Sequence, residues 1–174
     1  MAEQNDDEDS IHDPMALALG TEQLYKHVGR AIVALSNIEN LMAMIFISVT
    51  RGMTTDEASD LFYSYQGFDQ KFKIVSYAIR QNDWGDEFQT WQKLCEKLQE
   101  HKLVRNLAAH QGMRFVEDKS SSGGKKVILT SPWFKKGRKG RELEIADVAK
   151  SADGLEAIQK EMWQFVADLG PEKE

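Results

Sequence analysis

Apolar residues recur early in the chain at alternating steps of four and three: Leu24, Val28, Ala31, Leu35, Ile38, Met42, Ile45 and Val49. That spacing lays one apolar stripe along a helix, predicted here over about 22–50 with Thr21 as its cap. At ~1.5 Å per residue the helix is about 40 Å long, a length suited to a helical bundle. Just before it, Asp13-Pro14 and Gly20 bracket Met-Ala-Leu-Ala-Leu. A cap, a first-turn proline and a glycine stop predict a separate short helix there. Arg51-Gly52 ends the long helix. Thr55 caps a shorter one reaching about Tyr65 and broken near Gly67, and Asp69 caps another that turns Phe72, Val75 and Ile79 inward.

A second long helix starts at Gly85-Asp86. Phe88, Trp91, Cys95, Leu98, Lys102 and Arg105 fall on one stripe, flanked by Leu94 and Val104. The stripe is apolar for about three turns and then becomes polar, so its end either leaves the core or enters a functional cleft. After Gly112 the period changes. Residues 113–117 and 127–130 read as short strands around Asp118-Lys-Ser-Ser-Ser-Gly-Gly, a hairpin with a flexible turn. A basic loop spans 132–141. A final helix over about 146–169 carries Val148, Leu155, Ile158, Met162, Phe165 and Leu169, and Gly170-Pro171 stops it. The predicted fold is all-α: an antiparallel bundle of four to five helices with a small β-hairpin inserted before the last. Residues 1–13 read as a disordered acidic tail and 14–174 as one domain, with 113–141 as the insertion.

Composition adds constraints. At 41% hydrophobic and 29% charged residues, this is the make-up of a soluble globular protein. The richest apolar run, 41–49, is too short for a membrane span. The first thirteen residues hold six acids and no Lys or Arg, the opposite of a signal or transit peptide, so a cytoplasmic, membrane-free protein is expected. A lone cysteine, Cys95, excludes an internal disulfide and a multi-thiolate metal site, and its place on the apolar stripe reads as a buried, inert thiol. His27 and His101 have no partner at ligand spacing, and no metal or cofactor is expected. The net charge of −6 alone speaks against nucleic acid, but residues 113–141 hold nine bases against two acids. A basic patch on an otherwise acidic body is a footprint for RNA.

The chemistry concentrates in Arg105-Asn106-Leu107-Ala108-Ala109-His110, followed at once by Gln111-Gly112. An imidazole moves protons near neutral pH and a guanidinium grips phosphate with two parallel hydrogen bonds. On an ideal helix Arg105 and His110 stand ~140° apart, whereas Asn106 and His110 share a face, so Asn106 can orient the imidazole. The helix dipole favours a protonated His110 in the last turn. Cleaving RNA through its own 2′-hydroxyl needs a base, an acid and charge to stabilise the phosphorane. One His and one Arg are an incomplete set; two copies across a two-fold axis complete it. The motif therefore predicts a homodimer with a shared site. The bland alternative is a solvated Arg105 and a His110 that merely caps the helix.

The motif resembles that of the HEPN (higher eukaryotes and prokaryotes nucleotide-binding) superfamily, as does the stretch Val28-Gly29-Arg30-Ala31-Ile32 with Ser36-Asn37-Ile38-Glu39. The resemblance covers about residues 22–112 plus the last helix. It implies an all-α bundle, dimerisation through the motif helix, and metal-independent ribonuclease activity in toxin or defence systems, with a cognate antitoxin or neighbouring regulatory protein as partner. Non-catalytic members point to the alternative of a helical module for protein association or nucleotide binding.

Further candidates are weaker. Lys102, one turn before Arg105, is placed to meet phosphate, and Glu39 to contact Arg105. The loop around Trp133 and Phe134 brings Lys135, Lys136, Arg138, Lys139 and Arg141 together, a mixture of stacking surfaces and cations that suits single-stranded RNA.

Overall fold

A computed structural model describes residues 14–81, 85–110, 112–118, 124–130 and 142–170; within these, the side chains of 102–110, 112, 117, 118, 124, 125 and 130 are not described. Five helices and three strands follow in the order α1 (Pro14–Val49), α2 (Thr55–Ser64), α3 (Phe68–Gln81), α4 (Gly85–His110), β1 (Gly112–Asp118), β2 (Gly124–Thr130), β3 (Leu143–Glu144) and α5 (Ile145–Leu169). The mostly helical fold with a small sheet before the last helix matches the sequence reading.

The apolar stripe of α1 is the spine. Leu24, Ala31, Leu35, Ile38, Met42, Ile45 and Val49 are buried, joined by Ala34, Leu41, Ala43 and Phe46 from the flanks. That wide buried face exists because α1 packs on α5, α3, α2 and the sheet. Within α4, Trp91, Leu94, Cys95 and Leu98 enter the core, and Trp91 Nε1 donates 2.8 Å to Ser76 Oγ. Every predicted core position of α5 is buried. The pairs Trp91–Ser76 and Lys97–Glu161 run α4 against both α3 and α5. Arg30 meets Asp153 and Asn37 meets Gln159, so α1 and α5 run in the same direction, a departure from the antiparallel arrangement expected for this pair.

Four local readings change. The two N-terminal helices are one: α1 passes through Gly20, and Thr21 Oγ1 donates back to Leu17 O (2.8 Å) instead of capping a new helix. Gly20 serves close packing, since a β-carbon there would lie 3.3 Å from Cγ2 of Val127 on β2. The cap of α2 is Thr54, not Thr55, because Glu57 completes a reciprocal capping box with it. Asp69 lies inside the first turn of α3, where it complements the helix dipole, and Gly67 O accepts from Gln70 N and Lys71 N. The hairpin gains a third strand, with Leu143 opposite Leu129 and Glu144 opposite Ile128.

Continuity of α1 also revises the apolar-run reading: an eighteen-residue window of this helix has mean hydropathy 1.8, and half of it is buried inside the protein. Two cores take up its buried apolar residues. The larger is the bundle interior. The smaller joins Leu24 of α1 and Val148 of α5 to Val127, Leu129 and Leu143 of the sheet.

Candidate functional site

The Arg105–His110 motif occupies the last two turns of α4, which ends at His110, and β1 begins at Gly112. The start of α1, the end of α4 and the start of α5 meet at the end of the bundle that carries the sheet, as the contacts of α1, α4 and α5 with the strands require. Lys102, Arg105, Asn106 and His110 are helical, and their side chains lie outside the described residues. Helical spacing still assigns positions to faces. Arg105 follows Leu94, Leu98 and His101, on the side that packs on α5; Asn106 and His110 follow Phe88 and Gln99, on the side next to α3. The two functional types thus take different faces, as their ~140° separation demands. Lys135, Lys136, Arg138, Lys139 and Arg141, with Trp133 and Phe134, lie outside the described residues.

Below the motif, a partly exposed polar layer joins α1 to α5. Arg30 Nε and one terminal nitrogen donate to Glu156 at 2.9 and 2.7 Å, and that same nitrogen donates to Asp153 at 2.6 Å. Its other nitrogen reaches His27 Nδ1 at 3.2 Å. A guanidinium only donates, so Nδ1 is the acceptor in this contact. These bonds raise the Arg30 pKa further above its ordinary value and hold the Glu156 carboxyl below the usual carboxylate range. On the α4 side, His101 abuts Gly154, and Ser151 Oγ donates 3.4 Å to the His101 carbonyl. The layer ties α1, α4 and α5 together one turn below Arg105.

Three polar residues of α1, Arg30, Asn37 and Glu39, are therefore interhelical ties. Arg30 holds α5, and Asn37 Nδ2 reaches Gln159 Oε1 at 3.4 Å. Among the described residues Glu39 pairs with Lys71 of α3, which is only 6% exposed and lies over the rings of Phe62 and Tyr63 at 5.2 and 5.0 Å. Sequence reasoning missed the Arg30 and Lys71 contacts. The spacing of Asp153 and Glu156 along one helix face was visible, but a partner 123 or 126 residues away was not.

Two concave surfaces flank this region. A groove of about 580 Å³ runs between α3 and α4, lined by Asp69, Phe72, Lys73, Ser76, Tyr77, Arg80 and Gln99. A more open groove of about 900 Å³ lies between the start of α1 and Phe115. Among the described residues, no three of His, Cys, Asp and Glu converge as metal ligands. No protein-family model, curated protein or solved structure matches the chain.

Proposed function

We propose that the protein is a metal-independent endoribonuclease that works as a homodimer with a composite Arg/His site. The observation that carries this reading is the motif's position: Arg105, Asn106 and His110 close the helix α4 of a bundle, where the sequence of the stripe turns from apolar residues to Lys102 and Arg105. His110 in the last turn is favoured as imidazolium by the helix dipole. In the shared site one imidazole takes the proton of the 2′-hydroxyl as its oxygen attacks phosphorus. His110 of the partner subunit protonates the leaving 5′-oxygen, giving a 2′,3′-cyclic phosphate. Arg105 clamps the non-bridging oxygens, and Asn106 orients its own chain's imidazole. Lys102 and the basic residues Lys135, Lys136, Arg138, Lys139 and Arg141 guide the strand. A toxin or defence role with a cognate inhibitor follows from the family resemblance.

Cleavage of single-stranded RNA by the purified protein tests this. Arg105→Ala and His110→Ala should each abolish product while sedimentation still finds a dimer, and EDTA should leave the rate unchanged. A variant that cuts as fast as the parent, or a strictly monomeric chain in the presence of RNA, refutes the assignment.

One observation favours a second reading, a non-catalytic association module. The groove between α1 and β1 is walled by Pro14, Leu17, Ala18 and Tyr25 opposite Phe115, an exposed apolar surface of the kind that marks protein contacts. That reading expects no cleavage at any protein concentration, with Arg105 and His110 variants altering only association or stability.

A further inference from the structure

Along α3, Asp69, Lys73, Ser76, Tyr77 and Arg80 stand at positions i, i+4, i+7, i+8 and i+11, so they form one stripe beside α4. Its cavity of about 580 Å³ has room for a mononucleotide. Tyr77 presents a ring that is 64% exposed, without a core role. Arg80 is held in place by stacking on Phe88, its guanidinium carbon 5.1 Å from the ring centre. Lys73 adds a second cation, Gln99 an amide, and Asp69 is the one carboxylate among the described lining residues. Ser76 is spent on structure: its hydroxyl donates to Phe72 O at 2.9 Å and accepts from Trp91.

The groove also has a direction. Phe88 and Gln99 lie on the same face of α4 as positions 106 and 110, by successive steps of eleven, seven and four residues. Ser76, beside Tyr77, bonds Trp91, and from that level of α4 the axial distance is about 22 Å to position 106 and about 28 Å to position 110. At ~3.4 Å per stacked nucleotide that is roughly seven to eight nucleotides. An aromatic platform, two cations and an amide on the line leading to the proposed cleavage site are what a nucleotide of a single strand needs.

We infer that the α3–α4 groove is a subsite for one nucleotide of single-stranded RNA, its base stacked on Tyr77 and its phosphate held by Arg80 and Lys73. The inference rests on the ribonuclease reading for the identity of the strand, but its test does not depend on cleavage. A labelled 2′-O-methyl oligoribonucleotide, which lacks the attacking hydroxyl, is titrated by fluorescence anisotropy. Tyr77→Ala should weaken binding about tenfold. Arg80→Gln and Lys73→Gln should each lower the slope of log affinity against log salt by about 0.7, the signature of one lost phosphate contact. Lys97→Ala, on the opposite α4–α5 edge where it pairs with Glu161, should bind as the parent does.

Tyr77 is exposed, so its variant should keep the parent's melting temperature, and the comparison is made only at matched fold. Parental affinity and salt slope in all three groove variants would overturn the subsite. So would free nucleoside monophosphate binding as tightly as the oligomer with the same variant pattern, which would make the groove a mononucleotide site. Loss of binding in the groove variants, by a parent that cuts no RNA, would uphold the subsite while refuting the nuclease. Cleavage by the parent with unaltered groove variants would do the reverse.

Discussion

The imidazole of His101 in α4 fills the space that Gly154 of α5 leaves by having no side chain. A β-carbon there would overlap Nε2 and Cε1 of the ring and stand 2.9 Å from Cδ2. Glycine inside a helix is normally a weakness of about 1 kcal/mol relative to alanine, so here the close approach outweighs propensity. Gly154→Ala should destabilise by about 2 kcal/mol, a loss of about 6 °C in Tm, through overpacking at the α4–α5 contact. In a His101→Ala background the sign should reverse, since space is then available and alanine propagates the helix better. Thermal melts of the four proteins check the cycle, and a Gly154→Ala that destabilises equally in both backgrounds would refute the contact as the cause.

The pair formed by Lys71 and Glu39 makes an asymmetric prediction. Lys71 is buried against Phe62 and Tyr63, while the Glu39 side chain is about a third exposed. Glu39→Gln leaves an uncompensated ammonium in the core and should cost about 1–2 kcal/mol, less than for a fully buried pair because water reaches the carboxylate. Adding Lys71→Met should recover most of it, as the thioether fills the same space without charge. Urea denaturation of the single and double variants measures this; equal losses in both would contradict it.

Acid should expose the Arg30 clamp. The folded Glu156 pKa lies below its ordinary value because of the Arg30 hydrogen bonds, and Glu57 is lowered likewise by Thr54. A group whose folded pKa is depressed stabilises the protein above its unfolded pKa. That contribution disappears as pH falls through the folded value. The urea midpoint should therefore drop as pH falls below about 4.5, and Glu156→Gln should flatten that limb while lowering the plateau at neutral pH. Arg30, raised above an already high value, adds no pH dependence in this range.

Cys95 should be silent toward thiol reagents in the folded protein. It is 9% exposed, and burial pushes its pKa up to about 12. At pH 8 only about one thiol in ten thousand is then ionised. Labelling by a disulfide reagent should follow the rate of unfolding and become fast in denaturant; rapid labelling of native protein would contradict a core position.

What was legible in the sequence followed from period and punctuation. The stripe of α1, the inward face of α5 and the end of α4 at His110 were each written in local spacing. The merger of two helices into one was hidden because Gly20 reads as a stop, whereas its role is to let Val127 approach. Strand β3 escaped because two residues carry no periodicity. The ion pairs of Arg30 and Lys71 carry no local signal, since their partners come from other helices. The groove of Tyr77 and Arg80 arises only when α3 folds back along α4, and no single helix displays it.

The long first helix belongs to both interiors at once: Leu24 sits under the strands, while residues from Ala31 onward sit in the bundle. A sheet with so few buried residues has no independent stability, so it persists only while that shared rod is intact. Hairpin and bundle should consequently melt as one cooperative unit. Because a single residue separates the end of α4 from the first strand, loosening the strands would reach that helix end directly, making the small appendage a determinant of how firmly it is held.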